Sequence, residues 1–264
     1  MTPRSFFSRP HPRPHPGPLP AALAIGAVAQ ALFAWRLDVP RVPVFDEVHY
    51  VPAARTLISL SGSANVEHPL LGKAIIALGI MVFGDTPLGW RAFSTVAATA
   101  VVLGAFAILW SAFRSVRTAS IGALLVMLNF TVFVQARIAM LDGFMAAFVV
   151  LAVAAMLSGA RAQGRGAAAR WLAGSVLLGL ACGTKWTATP YVAFAAVAFP
   201  VVRWAYPAAW GGMRVIAAWA MLGMGAGAAY VATFAPALFY AHDPLTPGGL
   251  VAYHRQMYAL QTQV

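Results

Sequence analysis

The chain has 264 residues, 61% of them hydrophobic and 9% charged, and its mean hydropathy of +0.75 excludes an ordinary soluble domain. The formal charge of +11 comes from basic residues that punctuate apolar runs; no basic patch with interleaved aromatics appears, which argues against nucleic acid and for a polytopic membrane protein. The single cysteine, Cys182, permits no internal disulfide.

Residues 1–19 are rich in Pro and Arg and cannot form a packed core, so they are expected to be a disordered tail. A signal peptide with an apolar region over 21–32 is the rival reading, but no small-residue cleavage site precedes a polar mature domain. A hydrocarbon core of about 30 Å needs about 20 helical residues per span. Runs of suitable character cover 20–37, 88–110, 119–134, 138–159, 171–182, 187–202 and 215–239. The fifth and sixth are short and touch at CGTKWT, so they are either two steeply joined helices or one interrupted pair.

Placing the N-terminal tail, with Arg4, Arg9 and Arg13, in the cytoplasm puts Arg114, Arg117, Arg161, Arg165, Arg170, Arg203 and Arg214 in inner loops, the positive-inside pattern. The same count puts all seven acids outside. The segment LLGKAIIALGIMVFG at 70–84 is apolar but short and carries Lys73; if it spanned, the arginines near 165 would face outward. It is therefore expected to lie at the interface or re-enter, as is 48–60, within a first outer loop over 38–87. The expected fold class is all-α: a polytopic transmembrane bundle over 20–240, with interfacial helices in that loop and the start of a further outer loop over 241–264.

The first outer loop contains five of the seven acids, including the adjacent Asp46 and Glu47 in VFDEVHY. Arg91, Arg137, Asp142 and Lys185 fall at outer helix ends by the same count, and ionisable groups at such depths point to a functional site. A lone cation at a helix end more often snorkels to the interface. His49 and His68 with Asp46 raise a metal site, but no HxxxH or HExxH spacing exists, so no metal ligand is assigned. The pairs Gly179 with Gly183 and Gly223 with Gly227 read as helix packing.

The order of the motifs carries more than any one of them. FDEVHY, EHPLLGK, GWRAFS, ARIAMLD and CGTKWT, in that sequence, resemble the protein O-mannosyltransferase family, whose members use dolichyl or polyprenyl phosphate mannose and adopt the GT-C membrane glycosyltransferase fold. Asp46 and Glu47 match its acidic pair, and His68, Pro69 and Lys73 its HPPLGK-like motif, with Leu70 in place of the second proline. Arg91, the Arg137-to-Asp142 run and the Gly183-to-Trp186 run match its later motifs. The aminoarabinose transferases of lipid A also have an acidic pair, but a KPPLxYW-like second motif. HRQMYALQ at 254–261 is similar to the start of a further outer loop, and the resemblance implies more helices beyond Val264, so a truncated or shortened chain is expected.

The resemblance implies transfer of mannose, with inversion, from a lipid phosphate to a Ser or Thr hydroxyl of a protein or peptide. A phosphate leaving group needs no general acid, so one carboxylate suffices as base. The resemblance puts that role on Asp46, with Glu47 orienting acceptor or sugar. Arg137 and Lys185 are expected at the donor phosphate, with Arg91 and Asp142 beside them; Arg91 could instead pair with Asp142 or Glu47. Transfer of another lipid-linked sugar, a transporter and an inactive membrane protein are the alternatives. No cofactor beyond the lipid-linked donor is assigned, and dependence on a divalent metal stays open, as does oligomeric state. The composition points to a bacterial inner membrane with the active site on the outer face.

Overall fold

A computed structural model describes residues 17–262, so most of the expected N-terminal tail lies outside the described residues. Among the described residues the structure is helical, without strands. Its helices are α1 (Pro18–Ala34), α2 (Glu47–Ile58), α3 (Leu71–Phe83), α4 (Pro87–Phe113), α5 (Val116–Met127), α6 (Phe130–Gln135), α7 (Leu141–Ala160), α8 (Gly164–Thr184), α9 (Thr189–Ala205), α10 (Val215–Ala232) and α11 (Gly249–Thr262). Short 3-10 turns at Trp186–Ala188, Ala209–Gly212 and Ala235–Phe239 join them.

Among the described residues five segments are long and apolar enough to cross a membrane: Pro87–Phe113, Leu141–Ala160, Gly164–Thr184, Trp186–Ala205 and Val215–Phe239. The chain is an integral membrane protein. The span expected over 171–182 is longer than the sequence suggested, because α8 takes in the arginine-bearing stretch from Gly164. The span expected over 119–134 is two helices. Asn129 breaks it by accepting a hydrogen bond from Val132 N at 3.2 Å, which caps α6 and stops α5. At CGTKWT, Lys185 is extended and ends α8, and α9 begins after one 3-10 turn with Pro190 in its first turn. The structure thus gives two tightly joined helices there.

Helix α3 has 13 residues, about 20 Å of rise, which falls short of a hydrocarbon core. It ends where Gly84 takes a φ of 85°, a left-handed value that favours glycine. Thr86 and Pro87 then start α4.

Among the described residues, three of four apolar clusters are the largest and organise the bundle. One packs Ile25, Ala29 and Phe33 of α1 against Val102 and Phe106 of α4 and Ala119 and Ala123 of α5. A second stacks Trp171, Phe199 and Trp210 at the other end of the bundle. The third seats Tyr50, Leu57, Leu70 and Ile76 from α2, α3 and their connection onto Trp90, Leu141 and Phe144, with Tyr253 and Met257 of α11 in the same core. That third cluster positions the acidic pair.

Helix packing corrects one expectation. A Cβ on Gly179 would strike the Ala226 backbone of α10, and one on Gly183 would strike Thr233, so both sit at a close crossing. Gly223 and Gly227 have nothing within 4 Å, because α10 turns Gly225 and Ala226 towards α8 instead.

Candidate active site

Asp46 is the residue before the first turn of α2, and its carboxylate caps no backbone N–H. Glu47 begins the helix, and successive helical residues point about 100° apart, so the two neighbours diverge. Asp46 stays half-buried at the surface, while Glu47 has no exposed area.

Glu47 meets Arg91 of α4 in a two-pronged pair: Nε donates to Oε1 at 2.7 Å and Nη2 to Oε2 at 2.7 Å. Oε1 also accepts from Ala139 N at 2.8 Å, and Oε2 from Val44 N at 2.9 Å. Arg91, equally buried, also donates to the carbonyls of Leu37, Pro40 and Val42. A buried ion pair persists only when its remaining polar atoms are satisfied, and here both partners are. This sets Arg91 apart from the expected donor-binding group. It likewise leaves Glu47 no surface to offer acceptor or sugar.

Around Tyr50 the structure gathers Asp46, His68 and Asp142, with Lys185 paired to Asp142. Tyr50 Oη donates to Asp46 Oδ2 at 3.4 Å, and its ring meets that of His68 edge-on at 5.9 Å. Burial first, then the charges of Asp46 and Asp142, push the Tyr50 hydroxyl above its usual range, so it remains a donor. Burial, then Lys185 and Lys73, hold the His68 imidazole below its usual value. Lys185 Nζ donates to both oxygens of Asp142, at 2.8 and 2.9 Å. The side chains of this pair keep 20% and 35% of their exposure, so a ligand can reach the ammonium.

Lys73 is buried and serves the loop rather than a ligand. Its Nζ donates to the carbonyls of Ala64, Asn65 and His68 at 3.2, 2.7 and 2.8 Å, which fits the three N–H bonds of an ammonium. Burial draws its pKa down to about 7, with Glu67 opposing. Arg137 also turns away from the cluster: it donates to the carbonyls of Phe33, Trp35 and Arg36 at the end of α1 and lies over the Phe133 ring.

Three contributors, Tyr50, Tyr230 and His254, were not singled out in the sequence. Tyr50 lies one helical turn after Asp46, a spacing that would have suggested it. Tyr230 and His254 form a chain with Trp186: Trp186 Nε1 donates to Tyr230 Oη at 2.9 Å, and that hydroxyl is 2.6 Å from His254 Nε2. His254 Nδ1 lies 2.7 Å from the Leu250 carbonyl, which fixes the proton on Nδ1 and makes Nε2 the acceptor. Gln261 reaches the Glu67 carbonyl, so α11 ties the end of α10 to the loop that holds His68. Among the described residues no group of three His, Cys, Asp or Glu converges as a metal centre.

Fold and site together define a helical membrane protein in which a half-buried carboxylate, Asp46, and an accessible Lys185–Asp142 ion pair at a helix junction surround Tyr50 and His68. Residues 83–225 match the family model for dolichyl-phosphate-mannose-protein mannosyltransferase, and the chain belongs to that family. Similar proteins include the polyprenol-phosphate-mannose–protein mannosyltransferase of Mycobacterium tuberculosis, 33% identical over 74% of this chain and 44% of the relative. The protein of the same description from Mycolicibacterium smegmatis is 34% identical over 58% of this chain and 34% of its own. The chain thus spans less than half the length of the curated relatives it matches. Among solved structures, the Saccharomyces cerevisiae protein O-mannosyltransferase Pmt1–Pmt2 complex bound to the sugar donor shares the fold, with a TM-score of 0.66 at 18% identity, over 96% of this chain and 34% of that one. The GT-C bundle expected from the sequence is the fold observed.

Proposed function

We propose that this chain carries the transfer site of a membrane mannosyltransferase that moves mannose from a polyprenyl phosphate to a Ser or Thr hydroxyl of a protein. The observation that carries the reading is the half-exposed Asp46 carboxylate, held by its buried neighbour Glu47 beside the accessible Lys185–Asp142 pair.

In the proposed step, Asp46 takes the hydroxyl proton as the acceptor oxygen bonds to the anomeric carbon. The bond from that carbon to the phosphate oxygen breaks, and the polyprenyl phosphate leaves with the electron pair. Single displacement inverts the anomeric centre. Lys185 stabilises the departing phosphate, and Asp142 fixes the ammonium in place. Tyr50, a neutral donor beside Asp46, orients the base. Glu47 and Arg91 are positioning residues in this reading, since neither has surface to meet a substrate. The basic inner loops support a cytoplasmic N-terminus, a site on the outer face and, in a bacterium, the inner membrane.

The test is transfer of label from polyprenyl phosphate mannose to a Ser/Thr peptide in membranes containing the protein. Asp46→Asn is expected to abolish transfer while membrane insertion is unchanged. Full transfer by that variant, or none by the unaltered protein, overturns the proposal.

A further inference from the structure

Helix α1 ends at Ala34, and the chain turns sharply through Arg36, whose φ is 51°. The last carbonyls of a helix have no partner within it. Here Arg137 supplies partners: Nη1 donates to Phe33 O at 3.0 Å and Trp35 O at 2.6 Å, and Nη2 donates to Arg36 O at 3.1 Å. These bonds engage both hydrogens of Nη1 and one of Nη2. Nε–H and the second Nη2–H, which together form the forked edge suited to a phosphate, have no protein acceptor among the described residues.

That guanidinium forms one wall of a cleft of about 410 Å³ lined by Leu32, Trp35, Arg36, Val39, Phe133 and Arg137. No carboxylate lines it, and among the described residues Arg36 makes no ion pair. Burial first, then the positive charges of Arg91 and Arg36, hold the Arg137 guanidinium below its usual value, and Arg91 is itself paired with Glu47. Asp38, the exposed acid next to Val39, forms no ion pair with Arg36 or Arg137 among the described residues, so two cations share a cleft whose lining carries no carboxylate, an arrangement that favours an anion. The other walls are apolar, and Trp35 is 72% exposed. With α1 read as a span, the cleft lies at its outer end, the level where Trp marks the interface and phosphate head groups reside.

We propose that this cleft binds the phosphodiester head group of an anionic bilayer phospholipid, its phosphate between Arg36 and Arg137 and its glycerol and upper acyl carbons against Leu32, Val39 and Phe133. It is distinct from the proposed transfer site: no residue is shared, and Arg137 hydrogen-bonds the end of α1 rather than Asp46, Asp142 or Lys185.

The experiment compares thermal unfolding of the purified protein in nanodiscs of phosphatidylcholine alone, of phosphatidylcholine with phosphatidylglycerol, and of phosphatidylcholine with added inorganic phosphate. Arg137 is left intact because it holds the end of α1. Arg36, whose side chain forms no hydrogen bond among the described residues, is changed to Gln. Phosphatidylglycerol is expected to raise Tm in the unaltered protein and in the charge-matched control Arg161→Gln, and this shift is expected to vanish in Arg36→Gln. Native mass spectrometry is expected to show one fewer retained phosphatidylglycerol in Arg36→Gln. Retention of the shift and the lipid by that variant, no shift in any protein, or an equal shift with inorganic phosphate overturns the proposal. None of these readouts depends on sugar transfer, so failure here leaves the transfer site to its own test.

Discussion

A buried lysine organises the loop that carries His68. Lys73 ties the carbonyls of Ala64, Asn65 and His68 to α3, yet burial lowers its pKa from 10.5 to about 7. Between those two values the unfolded chain binds more protons than the folded one, so folding stability rises with pH across that window and is level below it. Denaturation measured across the window is expected to show this rise in the unaltered protein and to lose it in Lys73→Met, which cannot titrate. The importance of Lys73 was legible in the HPLLGK motif, but its role was not. The family resemblance brought it out as one of a set of motif residues, whereas only the folded loop shows three carbonyls converging on its ammonium. Asp46 and Glu47 make the same point. Adjacent in sequence and alike in charge, they separate because a helix begins between them and turns one inward.

At the scale of elements, the hydropathy of the chain located the helices well where a run was uniform, and less well where a single residue intervened. Asn129 splits one run by capping a new helix, and the arginine-bearing residues after Gly164 join α8 because tertiary packing, with Ala167 and Trp171 buried, outweighs their polarity. Small residues mark a helix crossing only when they face it. Gly179 lies against the Ala226 backbone, while Gly223 faces open space. Gly179→Val is therefore expected to destabilise the protein by about 1–3 kcal/mol through overpacking, and Gly223→Val to change it by less than about 0.5 kcal/mol. Thermal unfolding of the two variants in one detergent checks the contrast.

For the molecule as a whole, the Glu47–Arg91 pair fastens the α1–α4 connection to the bundle. It joins α2 to α4, to the α6–α7 connection through Ala139 N, and to the loop through the Leu37, Pro40 and Val42 carbonyls. Arg91→Met strands a buried carboxylate and is expected to cost about 3–5 kcal/mol. Adding Glu47→Met is expected to recover part of that loss, because an apolar pair of similar volume avoids the uncompensated charge. Chemical denaturation of the single and double variants measures both. If the second substitution restores nothing, the pair is not what holds the loop.

The sequence by itself determined that the chain is a membrane helix bundle, that five of its seven acids cluster in one loop over 38–87, and that five motifs follow one family's order. Hydropathy, charge and motif order are properties of a line, so a line suffices to read them. The tertiary structure alone decided which charge meets which. Glu47 and Arg91 are 44 residues apart and Asp142 and Lys185 are 43 apart, while Arg137 closes a helix end about a hundred residues earlier. Partners at such separations are chosen by how the helices pack and where burial makes an unpaired charge intolerable. That choice left Asp46 and Lys185 accessible and turned Arg91 and Arg137 to holding the fold.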